Sequence, residues 1–200
     1  MHQRRRIVIS LVLSVLLVGG MSCHQGGKQS AIDSVDSAEN LNRTQFDKPG
    51  DKRDNSQLLL QTFSYNLYAL KSSQKALQQS SNESVKKLAI TEVNNHAALN
   101  KAITTLAEAK QINLPADLSR EQLSRLNALS QRRGPDFDDN YVREMVNGRK
   151  QTLVVLEEAR ASADPDIIRW ADAIRPKIEE QLDLATSCQN ALDSLPRKSR

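Results

Sequence analysis

Glu92 and His96 are the pair in this sequence best placed to do chemistry. A separation of four residues puts them on one face of a helix. Val85, Leu88, Leu99, Ile103 and Leu106 mark that same face as the apolar one. A carboxylate and an imidazole pointing into a helical bundle are side chains that can ligate a transition metal. Bundles draw such ligands from several helices, so two from one helix do not complete a set. The same spacing also suits a buried hydrogen-bonded pair, or the edge of a stripe with His96 reaching solvent. These last two are the expected readings. No metal or other cofactor is expected, and His96 and Glu92 are the candidate ligands if one binds.

Little else in the chain suggests catalysis, and no catalytic residue is assigned. There is no glycine-rich phosphate loop, nucleophile elbow, HExxH or CxxC pattern. Glu157-Glu158 and Glu179-Glu180 read as solvated faces, and Arg132-Arg133 as a charge pair at a helix C-terminus. Asp136, Asp138 and Asp139 read as an acidic cluster at a helix N-terminus, without the spacing of a calcium loop. The chain has two cysteines, Cys23 and Cys188, too few for a disulfide framework. Cys188 falls on an apolar stripe, where it reads as a small buried hydrophobe.

The elements that must position these residues are helices. Aromatic residues make up 4% of the chain, and its 7 Gly and 6 Pro leave long stretches uninterrupted. Apolar residues recur at spacings of three and four. A first segment, 55–80, carries Leu59, Phe63, Leu67, Leu70, Gln74 and Leu77 on one stripe. A second, 83–111, holds Glu92 and His96. A short third, 120–131, follows Leu114-Pro115 and a capping Ser119. A fourth, 136–163, carries Phe137, Tyr141, Met145, Gly148, Thr152 and Ala159. A fifth, 166–195, starts after Asp164-Pro165 and buries Ile167, Ile174, Ile178, Ala185 and Cys188. The expectation is an all-α fold: a four-helix bundle with one short accessory helix over residues 55–195.

The N-terminus reads as an export signal. Residues 1–6 are basic, 7–18 are apolar apart from two serines, and small residues lead to Cys23. Gly20-Met21-Ser22-Cys23 is similar to a bacterial lipobox, with Gly20 where leucine is usual. This predicts a signal peptide over 1–22 and lipidation at Cys23. Residues 23–54 are polar and read as a flexible tether, and 196–200 as a basic tail. Removing the leader takes three arginines and no acid, which lowers the formal charge from +4 to +1. So small a charge argues against nucleic acid as a partner. The expected partner is a membrane, reached through the lipid anchor. The expected location is the periplasmic side of a bacterial membrane, taken as the outer one.

Several short pieces, in order, resemble an exported bacterial family of ferritin-like bundles called domain of unknown function 4142. They are Val85-Lys86-Lys87-Leu88-Ala89 before Val93-Asn94-Asn95-His96, then Leu114-Pro115, then Gly134 leading to Phe137-Asp138 and Tyr141. Met145-Val146 follows, and Pro176 precedes Ile178, Leu182 and Ala185. The resemblance spans residues 56–195. It implies a histidine in each of three helices, which invites a metal-site reading. Here His96 fills the first position, while Arg149 and Gln181 stand at the other two. Arginine is always protonated and has no lone pair to give a metal. The resemblance therefore implies a polar core cluster of Glu92, His96, Arg149 and Gln181 in place of a metal site. The expected function is that of a non-enzymatic, membrane-tethered envelope protein with a binding or stress-adaptation role. The alternative is a metal-binding or redox protein using His96 and Glu92.

Overall fold

The computed structural model describes residues 34–47 and 50–195, and all of its regular elements are helices. The expected signal peptide, Cys23 and the basic tail lie outside the described residues. The helices are α1 (Val35–Gln45), α2 (Asp51–Gln79), α3 (Glu83–Ala109), α4 (Arg120–Ser130), α5 (Gly134–Arg160) and α6 (Pro165–Asp193). None of the described helices is long and apolar enough to cross a membrane.

Local chemistry sets the helix ends. Asn82 caps α3 by accepting from the amides of Ser84 and Val85. Ser119 and Gln122 form a reciprocal capping box on α4. Asp164 caps α6, with Pro165 at its first position, where a missing N–H costs nothing. Gly134 opens α5 at φ +54°, a conformation that glycine reaches without strain. Arg133 donates to the carbonyls of Ser130 and Arg132, satisfying the end of α4.

α2, α3, α6 and α5 pack in a ring in that order around one apolar core. Contacts between them set the directions. Asn66 of α2 meets His96 and Asn100 of α3. Ser73 of α2 bonds Tyr141 of α5 at 2.9 Å, while Asn55 bonds Ser162 beyond the far end of α5 at 2.8 Å. Lys110, after α3, pairs with Asp164 at the start of α6. The order is thus up, down, down, up. The link from α3 to α5 must climb the full length of the bundle, and α4 lies within it, against α2 and α5.

Two expectations change. The first is that residues 23–54 form a flexible tether. From Val35 to Gln45 the chain is α1, packed on α2, and α2 itself begins at Asp51. Polar groups dock α1: Asn42 donates to the Asn113 carbonyl at 2.9 Å and accepts from the Asn113 amide at 2.8 Å. Apolar periodicity gives no hint of such a contact. The second concerns the stripe on α2. Gln74 and Leu77 are exposed, and Ser72, Ser73 and Ala76 are buried instead. Phe137 and Tyr141 stack across from this stretch, with ring centroids 6.2 Å apart, and the Tyr141 hydroxyl reaches Ser73. Small side chains on α2 fit against these rings.

Candidate functional site

α3 and α5 carry the central polar pair. Glu92 and Arg149 are each 2% exposed, and the Arg149 Nη2 donates to Glu92 Oε2. Both side chains lie on apolar stripes, between Leu88 and Leu99 on α3 and between Met145 and Val155 on α5. Burying two opposite charges together avoids the large cost of burying either alone. Glu92 Oε1 and Arg149 Nε have no hydrogen-bond partner.

His96 takes a different direction. It is half-buried and faces the seam between α2 and α3. Asn66 Nδ2 lies 3.1 Å from its Nδ1, and Asn100 Nδ2 lies 3.0 Å from its Nε2. Asn66 also donates to Asn100 Oδ1 at 2.8 Å. A neutral imidazole has one lone pair, so it accepts from only one of these amides. Burial, and then the nearby Arg149 charge, hold the His96 pKa below its ordinary value. Gln181 on α6 is 3% exposed, and its Oε1 has no hydrogen-bond partner.

Of the four residues expected to cluster, Glu92 and Arg149 are bonded, and His96 lies within the electrostatic reach of Arg149. The ring nitrogens of His96 face Asn66 and Asn100, and its one lone pair accepts from one of them. Asn100 stands four residues after His96, a spacing visible in the sequence. Asn66 comes from another helix, and nothing local announces it. As a metal site the donor set fits poorly. The Glu92 carboxylate is engaged by a guanidinium, and both ring nitrogens of His96 face amide nitrogens. Among the described residues, no three His, Cys, Asp or Glu side chains converge.

Other residues sort by burial. Asp138, near the N-terminus of α5, is buried, and burial raises its carboxyl pKa. Glu157 and Glu179 are exposed and both pair with Arg175. Cys188 is buried and free, with its thiol pushed up to about 11 by burial and then by Asp138. A thiol held that high is a poor nucleophile at neutral pH.

A family model described as a domain of unknown function (DUF4142) matches residues 33–187. The chain belongs to this family. No curated protein and no solved structure matches it. The DUF4142 match begins before α1 and ends within α6, so it includes α1 along with most of the bundle. It also takes in Glu92, His96, Arg149 and Gln181.

Proposed function

We propose that this DUF4142 protein is exported, tethered to a bacterial membrane through Cys23, and acts by binding or in stress adaptation rather than by catalysis. The observation that carries the non-catalytic part is the Glu92–Arg149 pair. It engages with a fixed cation the buried carboxylate of Glu92, which could otherwise join His96 in chemistry. The export part rests on the basic, apolar and small-residue order of residues 1–23. The long crossover between α3 and α5 supports a ferritin-like reading of the bundle, a fold that by itself assigns no activity. The periplasmic side of the outer membrane is the proposed location.

Two measurements test this reading. Cells making the full chain are fed labelled palmitate, and label is expected on wild type and absent from Cys23→Ser. Protein purified from metal-replete medium is then analysed for its elements. Stoichiometric iron, copper or manganese that disappears in His96→Ala would replace the binding role with a metal-dependent one.

A further inference from the structure

Asn66, His96 and Asn100 form a closed triangle at the seam between α2 and α3. Asn66 is buried and meets both other side chains through the same end of its amide. Asn100 meets them through opposite ends of its own. The ring of His96 faces Asn66 with Nδ1 and Asn100 with Nε2.

A triangle joined in this way has two consistent arrangements. If Asn66 offers its nitrogen, Asn100 must turn its oxygen to Asn66 and its nitrogen to the ring. Both ring nitrogens must then accept, and a neutral imidazole has a lone pair on only one of them. If Asn66 offers its oxygen, Asn100 must turn its nitrogen to Asn66 and its oxygen to the ring. Both ring nitrogens must then donate, and only the imidazolium does so. The neutral ring therefore leaves one contact of the triangle unmade, whichever way the amides lie. Uptake of a proton, with reversal of both amides, completes all of them.

Few charges face this triangle. α2 carries no Asp, Glu, Lys or Arg from 56 to 70, and its Tyr65 and Tyr68 line the side toward α4 and α5. Arg149 reaches in from α5. Burial and then its charge oppose a charged ring, while a hydrogen bond with Asn66 favours one. On α3 itself, Glu92 is bound to Arg149 and Lys101 is exposed. α6 packs on the other flank of α3, beside Leu88 and Thr91, and its Glu179, Glu180 and Asp183 are exposed. We propose that the triangle is an acid-sensing switch: the half-buried His96 takes up a proton as pH falls, the amides of Asn66 and Asn100 turn over, and the missing hydrogen bond closes across the seam. The switch lies apart from the tether and does not depend on it.

The test is an NMR titration of the isotope-labelled full chain from pH 8 to pH 4. At pH 8 one ring nitrogen of His96 should show a coupling across a hydrogen bond to an asparagine amide nitrogen. As His96 titrates, that coupling should vanish and both ring nitrogens should carry protons shielded from exchange. The side-chain amide resonances of Asn66 and Asn100 should move with the same midpoint. Asn100→Ala opens the triangle, so a neutral ring satisfies the contact that remains. In that variant His96 should bind its proton about tenfold more weakly than in wild type, the scale of one hydrogen bond to a charged group. The proposal fails if the coupling persists in acid, or if the two amides do not follow His96. It also fails if folded Asn100→Ala titrates at the wild-type midpoint or above it. If that variant does not fold, the wild-type titration decides alone.

Discussion

At the residue scale, Glu92 and Arg149 hold charge where the surrounding side chains are apolar. Such a pair depends on both partners being present. Arg149→Met strands a buried carboxylate and should cost roughly 3–5 kcal/mol in urea unfolding. Adding Glu92→Leu removes the stranded charge and should return stability to within about 1 kcal/mol of wild type, or above it. If the single variant is as stable as the double, the pair is not buried as described. Glu92 was legible on the apolar stripe of its helix, but Arg149 was set beside it by the resemblance alone, since the periodicity put Gly148 on the stripe where the fold buries Arg149. The amide partners of His96 were not legible in the same way. Asn66 reaches it from α2, and the rotation of one helix against another depends on packing across the whole bundle.

The element scale brings in α1, which has Ala38 and Asn42 as its buried residues. Its hold on the domain is largely polar: Asn42 to Asn113, Gln45 to the Gln111 carbonyl at 2.8 Å, and Asp36 to the Arg120 amide at 3.2 Å. Asn42→Ala leaves the Asn113 amide and carbonyl without their partner and should cost about 1–3 kcal/mol. A chain starting at Gly50 should melt several degrees below one starting at Ser34, roughly as expected for a loss of that size. Equal melting temperatures for the two chains would show that α1 contributes nothing. α3, α4 and α6 were legible almost to their ends, because Asn82, Ser119 and Asp164-Pro165 are local stop and start signals. α1 was not, since a helix docked by asparagine and glutamine leaves no apolar stripe. The inward face of α2 near Ser73 was hidden for a related reason: hydroxyls and a methyl do not register as core until Phe137 and Tyr141 are seen opposite.

For the molecule as a whole, stability should depend on pH through two groups of opposite sign. Burial and Arg149 lower the His96 pKa, so the folded chain binds fewer protons there than the unfolded chain, whose imidazole titrates near its ordinary value of 6.5. The His96 contribution is therefore complete above that value and is lost as pH falls from it through the depressed folded one. Burial raises the Asp138 pKa above its ordinary 3.8, so the folded chain binds more protons there. The Asp138 carboxyl weakens the fold as pH rises from 3.8 through the raised folded value, and it keeps that cost at neutral pH. The exposed carboxylates held low by cations, such as Glu157 beside Arg175 and Arg160, add a loss only at more acidic pH, and solvent screens it. Urea unfolding from pH 8 to pH 4 should therefore show stability falling below neutrality. His96→Gln should flatten that fall, and Asp138→Asn, which removes the buried charge, should lie above wild type at pH 7. A wild-type profile that stays level from pH 7 to pH 5 would mean that His96 is solvated on both sides of the unfolding equilibrium. The seam between α2 and α3 would then have to be open around Asn66.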